Sequence, residues 1–345
     1  MTLFRQEIEE QPAVAERVLD AAAGQVRAAA AAIRSADPAG LVIAARGSSD
    51  HAAVYAKYLF ETRTGLPVAL AAPSAFTLYG RPPRLDRFAV LAISQAGTSP
   101  DVVEVLAEAR RQGSVTVALT NHPGSALAGA ATHVVELGAG EELSVPATKT
   151  YTASLLVLAL LANALEPEPE FEAALRSVPG AMRAPLGKEE ALRPLVAELR
   201  TADRLAVLGR GYNLATALEV GLKLMEVAYV VAEARSVADF LHGPIAIVEP
   251  GFPVLLLEAD GPAAPEMVEL AAELHRRKAR VLRIRDGAVG PEPDALTLGL
   301  HTGLPEALTP LTLVVAGQLL TAGLAEARGV DPDRPRGLRK VTSTR

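Results

Sequence analysis

Glu219, Lys223 and Glu226 stand four and three residues apart in EVGLKLMEVAY, and His242 follows a short segment later. On a helix those three charges share a face. The segment is otherwise apolar. Leu214, Leu218, Leu222, Met225 and Tyr229 recur at helical spacing, and Val220, Leu224 and Val227 add apolar surface on other sides. A helix apolar nearly all round is expected to be buried, and buried charges need partners or a task. A carboxylate beside an ammonium, with an imidazole near by, can move protons on a bound substrate. The spacing also suits a solvated face with an i,i+4 ion pair, which on the segment alone is slightly favoured.

A second group is Ser94-Gln95-Ala96-Gly97-Thr98-Ser99, followed by Pro100. Proline suits a first helical position and Ser99 suits the N-cap before it. Hydroxyls, loop N–H groups and a helix N-terminus would then converge on one point. Such a point suits an anion, above all a phosphate monoester. Ser48 and Ser49, after Gly47, offer a similar turn. Helix capping alone would also explain clustered Ser and Thr. Lys149, at the start of a helix after Pro146, is expected to give structural support. Asp50 and His51 stand where they would line the pocket rim. Otherwise His51, His122, His133, His275 and His301 are scattered and are expected to be surface or loop histidines. No spaced cluster of metal ligands occurs, so neither a metal nor a cofactor is expected.

These groups need a frame, and the chain supplies one by repeating itself. LVIAARGSSDHAA near Leu41 has the form of LAVLGRGYNLATA near Leu205. The strand–loop–helix–strand run from Phe88 has the form of the run from Phe252. Arg46 and Arg210 stand at the same separation as Phe88 and Phe252. Short, fully apolar strands alternating with helices imply parallel sheets covered by helices. The expected fold is α/β, with two tandem doubly wound parallel sheets, each sandwiched by helices. The expected divisions are an N-terminal helical arm (1–35), a first domain (36–165), a helical connector (166–200), a second domain (201–328) and a tail (329–345). The halves differ beyond the carboxyl ends of their strands, where such sheets bind ligands. Opposite Ser94–Ser99 the second half has Glu258-Ala259-Asp260-Gly261-Pro262-Ala263. Those acids would repel phosphate, so one anion site per chain is expected, in the first half.

Half of the 345 residues are hydrophobic and the net charge is −6, ample for two cores and without the basic tracts of a nucleic-acid binder. Cysteine is absent, which excludes disulfides, thiolate nucleophiles and thiolate metal sites. The N-terminal MTLFRQEIEEQP is acidic and lacks a signal-peptide core. The longest apolar run, Leu155 to Ala164, is too short to span a bilayer. A cytoplasmic protein with no membrane partner is expected. Of only six lysines, three (Lys149, Lys223 and Lys340) fall within the groups discussed here.

Several stretches, in order, resemble the SIS (sugar isomerase) family: EIEEQP, ARGSSDHAA, SQAGTSPD, VPATKTYT, LGRG, EVGLKLMEVAY, AEARSVADFLHGP and DPDRPRGLRKVT. The likeness covers nearly the whole chain. It extends to the isomerase half of glucosamine-6-phosphate synthase (the glutamine–fructose-6-phosphate aminotransferases) and, more closely, to SIS-type glucosamine-6-phosphate deaminases. The resemblance implies that the loop of Ser94, Gln95, Gly97, Thr98 and Ser99 holds the sugar phosphate with Ser48 and Ser49. It implies Val145 and Thr148 at the sugar. Glu226 would shuttle a proton between C1 and C2, beside Lys223. His242 would open the sugar ring from a neighbouring subunit, in a homodimer with shared sites. Lys340 would form an imine with the ketose, as in the synthase.

Departures from the family pattern are Ala96 and Ala147, where hydroxyl residues are common, and the lack here of the synthase's glutaminase domain with its N-terminal cysteine. The GTSPD and ARGSSD forms look more like the deaminase branch. The expected function is therefore hydrolytic deamination and isomerisation of glucosamine 6-phosphate to fructose 6-phosphate and ammonia. Rivals are a fructosamine 6-phosphate deglycase, a galactosamine-6-phosphate deaminase and a non-catalytic sugar-phosphate sensor. A sensor would need the phosphate loop but not Glu226, Lys223, His242 and Lys340 together.

Overall fold

The structure is a computed structural model that describes residues 1–288 and 296–340. Residues 341–345 of the expected tail and 289–295 of the expected second domain lie outside the described residues. The chain forms two compact units. The first comprises Ala13–Glu142, Lys149–Arg176 and the tail from Arg339. The second comprises Met1–Pro12, Leu143–Thr148 and Ser177–Leu338.

The first unit is built on β1 (Leu41–Ala44), β2 (Val68–Leu70), β3 (Ala89–Ile93), β4 (Thr116–Thr120) and β5 (His133–Glu136). All pairings are parallel, in the order β2-β1-β3-β4-β5. The three central strands are buried along their whole length, as strands covered on both faces must be. The second unit has β6 (Arg204–Gly209), β7 (Val231–Ser236), β8 (Pro253–Ala259), β9 (Arg280–Asp286) and β10 (Thr297–Gly299). Their order is β7-β6-β8-β9-β10, the first order repeated, as the sequence repeat requires. In each sheet the strand order reverses beside the first-formed strand. The crevice of the first unit therefore opens at the carboxyl ends of β1 and β3. Gly47-Ser48-Ser49 and Ser94–Ser99 begin there.

Each unit buries one long apolar helix. In the first it is Lys149–Leu165, packed on Ala23–Ala36 and Ser48–Thr64. In the second it is Pro310–Ala327, packed on Asn213–Val227. Pro310–Ala327 is a longer helix than the apolar run Leu155–Ala164. Its length and composition would suffice to cross a membrane, but 78% of it is buried in the protein. Burying each of its leucines contributes about 1.5–3 kcal/mol, which accounts for its composition. The crossing is close. A Cβ on Gly317 would stand 2.2 Å from Val220 Cγ2, so only glycine lets Asn213–Val227 lie where it does.

The helix Asn213–Val227 corrects an expectation. Its apolar stripe is the less buried side: Leu214, Leu218 and Leu222 are half-buried, and Met225 is 44% exposed. The core side carries Ala217, Val220, Leu224 and Val227 together with Glu219 and Lys223. Tyr229 lies beyond the helix, in the left-handed region.

Candidate active site

The loop Ser94–Ser99, expected to hold an anion, is held by its carbonyls. Gln95 O accepts from Asn121 N–H at 3.1 Å and from Thr120 Oγ1 at 3.2 Å. Gly97 O accepts from Leu127 N–H at 3.0 Å. Gly97 has φ +64, and a Cβ there would meet Ser125 Oγ at 2.1 Å, so the turn requires glycine. Ser94 Oγ points back into the loop and accepts from Gly97 N–H at 3.2 Å. Among the described residues, the N–H groups of Gln95, Ala96, Thr98 and Ser99 take no hydrogen bond. They are an array of free donors at the N-terminus of Pro100–Arg111.

Pro100 is at the first helical position as expected. Ser99 occupies the N-cap, but its side chain makes no capping bond, so that hydroxyl is not consumed by the helix. Asp101, fully buried in the first turn, is paired with Arg46 at 2.7 Å. Its charge is thereby compensated beside the loop. Ser48 and Ser49 are half-buried in the first turn of Ser48–Thr64, after Gly47 at φ +56. Burial raises the Asp50 carboxyl above its ordinary range, opposed by His51 and Arg46.

A cavity of about 460 Å³ adjoins the loop, lined by Gln95, Ala96, Asn121, His122, Glu136, Gly140, Glu141, Glu142 and Lys340. Lys340 Nζ lies 2.7 Å from Glu142 Oε2. The Glu142 carboxylate is completely buried. It also accepts from Thr150 N–H at 3.1 Å and Thr150 Oγ1 at 2.7 Å. Asn121 fixes the facing segment, donating to Gly140 O at 2.7 Å and accepting from Ala139 N–H at 2.9 Å. Of the expected site residues, Gln95 and Lys340 share this cavity. Ser94, Gly97, Thr98 and Ser99 lie outside its lining. His122, expected to be a bland loop histidine, is on its wall. Glu142 and Asn121 were not singled out from the sequence. The available signal was a carboxylate just ahead of a buried helix.

In the second unit, Lys223 Nζ lies 2.6 Å from Glu226 Oε2 and 3.3 Å from Glu219 Oε1. The lysine and Glu219 are buried, while Glu226 keeps 21% of its side chain exposed. Burial pushes the Lys223 ammonium towards neutrality, but Glu219 and Glu226 outweigh it, and its pKa is raised. The triad thus presents one accessible carboxylate, oriented by a buried ammonium. The ion pair expected from the spacing is real, and it is not a solvated one.

His242 is exposed at the end of Val237–Leu241, where its Nδ1 meets Ala238 O at 2.7 Å. A carbonyl only accepts, so Nδ1 carries the proton in that contact, and in a neutral ring Nε2 is the acceptor. Val145 is half-buried and Thr148 fully buried. They lie in a segment anchored where the Glu7 carboxylate accepts from Leu143 and Ser144 N–H. Lys149 is buried as the first residue of Lys149–Leu165, in keeping with a supporting role.

The second unit's counterpart of the anion loop is closed from within. Glu258 is paired with Arg283 at 2.7 and 3.0 Å. Asp260 is paired with Arg285 at 2.8 Å, and that hydrogen bond holds its carboxyl low. The Glu306 carboxylate crowds Gly261 and accepts from the backbone of Ala263, the N-cap of Ala264–Arg276. A carboxylate of the protein stands where a bound anion would stand.

The SIS domain model matches residues 36–164 and 198–315. Glutamine–fructose-6-phosphate aminotransferase (isomerizing) of Methanothermobacter thermautotrophicus is 34% identical over 300 residues, covering 86% of this chain and 50% of that protein. The same enzyme of Streptococcus pneumoniae is 34% identical over 347 residues, 97% of this chain and 57% of that protein. The chain thus spans about half the length of the curated relatives it matches. A crystal structure from Silicibacter pomeroyi, provisionally named a phosphosugar isomerase, superposes with TM-score 0.88 at 38% identity, covering 96% of this chain and all of that one. Glucosamine-6-phosphate deaminase of Thermotoga maritima shares the fold, with TM-score 0.78 at 21% identity over 99% and 100% of the two chains. Over both sheets, at residues 36–164 and 198–315, the chain belongs to the SIS domain family.

Proposed function

We propose that this chain converts glucosamine 6-phosphate and water to fructose 6-phosphate and ammonia. The observation that carries the reading is the Lys340 amine on the wall of a cavity shared with Gln95 and Ala96 of the anion loop. A phosphate on the loop's free N–H groups would supply remote binding energy that fixes the sugar. The cavity's Glu136, Glu141 and Glu142 outnumber its one ammonium, which suits a substrate that brings a positive charge.

In this reading His242 Nε2, supplied by the partner in a homodimer, takes the anomeric hydroxyl proton and passes a proton to the ring oxygen. The open-chain aldehyde results. Glu226 then removes the C2 proton and returns it to C1, while O1 takes up the proton that the C2 ammonium loses. C1 becomes an alcohol and C2 an iminium. Water adds to C2 and ammonia leaves, giving the ketose. Alternatively the Lys340 amine adds first, expels ammonia, and its own imine is hydrolysed. Lys223 holds Glu226 in place through both transfers.

Incubation with glucosamine 6-phosphate should release ammonia and fructose 6-phosphate in equal amounts. The cavity's volume and exposed Glu141 favour one second reading, a deglycase for a fructosamine 6-phosphate whose amine portion needs room beyond the hexose. Cleavage of such an adduct, with no ammonia released from glucosamine 6-phosphate, would replace the first reading by the second.

A further inference from the structure

We infer that Tyr229 and Arg336 form a clamp that seats the tail and so sets the reach of Lys340, as positioning residues for the amine role given to Lys340 above, on which this rests. Asn213–Val227, which carries Glu226, ends at Ala228, and Tyr229 follows at φ +54. A bulky residue is seldom held in that region unless its surroundings impose it. Arg328 Nη1 donates to Ala228 O at 3.0 Å and fixes the peptide just before it.

The ring so presented receives Arg336, whose guanidinium carbon lies 3.8 Å from the ring centroid. The tyrosine hydroxyl accepts from Arg336 N–H at 2.9 Å. One residue is thus gripped through both its side chain and its backbone. Three residues earlier, the Asp333 carboxylate accepts from Leu3 and Phe4 N–H, each at 2.8 Å. The tail is therefore tied at two points before it reaches Lys340.

The chain geometry gives those ties a consequence. Four residues extend at most roughly 13–14 Å, so a fixed Arg336 confines Lys340. Without the Tyr229–Arg336 tie, the tether runs from Asp333, seven residues back. On the −3/2 power of length, shortening it from seven residues to four raises the local concentration of the amine roughly twofold. Ring stacking and the hydroxyl bond add orientation to that gain.

The test uses the full chain with Arg336→Ala, Tyr229→Leu and the conservative Arg336→Lys. Lys340 is acetylated with an amine-reactive ester and followed by mass spectrometry, with exposed Lys57 as the internal control. Labelling of Lys340 should be about two- to fourfold faster in Arg336→Ala and Tyr229→Leu, intermediate in Arg336→Lys, and unchanged at Lys57. With glucosamine 6-phosphate, kcat should fall by a similar factor at constant KM, while solvent-hydrogen exchange at C1 of fructose 6-phosphate stays at the parent rate. Unchanged Lys340 labelling overturns the clamp whether or not the enzyme turns over. A loss of C1 exchange equal to the loss of kcat also overturns it, because the damage would then lie in the Glu226 helix. Faster labelling in a protein that never releases ammonia supports the clamp and rejects only the reaction assigned above.

Discussion

Lys223→Met tests the triad of the second unit directly. The ammonium stands 2.6 Å from Glu226 and 3.3 Å from Glu219. Glu226 is partly exposed and can turn to water when the lysine goes. Glu219 is fully buried and cannot. Leaving a buried carboxylate without its cation destabilises by about 3–5 kcal/mol. Adding Glu219→Gln removes the stranded charge, so the double variant should return to within about 1–2 kcal/mol of the parent. Urea unfolding reads both. With a slope of about 2–3 kcal/mol/M, the single variant's midpoint should fall by about 1–2 M in the transition of the second unit. A single variant no less stable than the double would mean that Glu219 does not depend on Lys223, and the account of the triad would be wrong. The pH dependence has a definite sign. Because the Lys223 pKa is raised in the fold, its contribution is complete below the ordinary value of 10.5 and is lost as pH rises through the raised one. The parent should therefore weaken at strongly alkaline pH by an increment that Lys223→Met lacks.

Gly97→Ala places a Cβ against Ser125 at a positive φ, so KM for the sugar phosphate should rise roughly tenfold or more; unchanged KM would remove the loop from the anion site. Ser99→Ala should raise KM by a factor matching about 1.5–3 kcal/mol, because that hydroxyl makes no capping bond. Ser94→Ala should act more weakly, through the Gly97 contact. Glu226→Gln should lower turnover by about 10²–10⁴-fold, with C1 exchange falling in step, and near-normal exchange would point to another base. Mixed His242→Ala and Glu226→Gln subunits, each inactive alone, should regain part of the activity; no recovery after verified subunit exchange would place His242 in its own subunit's site.

The fold was legible because its signals are local and repeated. Apolar four- to seven-residue strands, glycine turns and amphipathic helices recur at one separation, and the two sheets share one strand order. Ser94–Pro100 and the Glu219–Lys223–Glu226 spacing were legible for the same reason. Burial direction was not. Leu214, Leu218, Leu222 and Met225 form as good a stripe as any core face, but the side that packs inward is the one with Val220, against Gly317. Glu142 escaped because its partners, Thr150 and Lys340, are a helix start and a distant tail residue. His122 was unreadable because its place on the cavity wall comes from a loop following β4, not from neighbours in sequence. Nor did the sequence reveal that Glu306 fills the second unit's helix N-terminus.

The first twelve residues belong to the second unit, and this orders events during synthesis. Phe4 and Ile8 have no exposed surface in the finished protein, Gln11 bonds Gln318 at 2.7 Å, and Asp333 caps Leu3 and Phe4. At about 5–20 residues per second, the helix Leu3–Glu9 leaves the ribosome roughly 15 s to a minute before these partners exist. The strands between Leu41 and Glu136 have meanwhile emerged and can pair. The chain thus finishes folding with a segment made before either sheet, and a nascent chain halted between Glu136 and Pro310 exposes the Phe4 and Ile8 face of a helix whose docking surface is not yet translated.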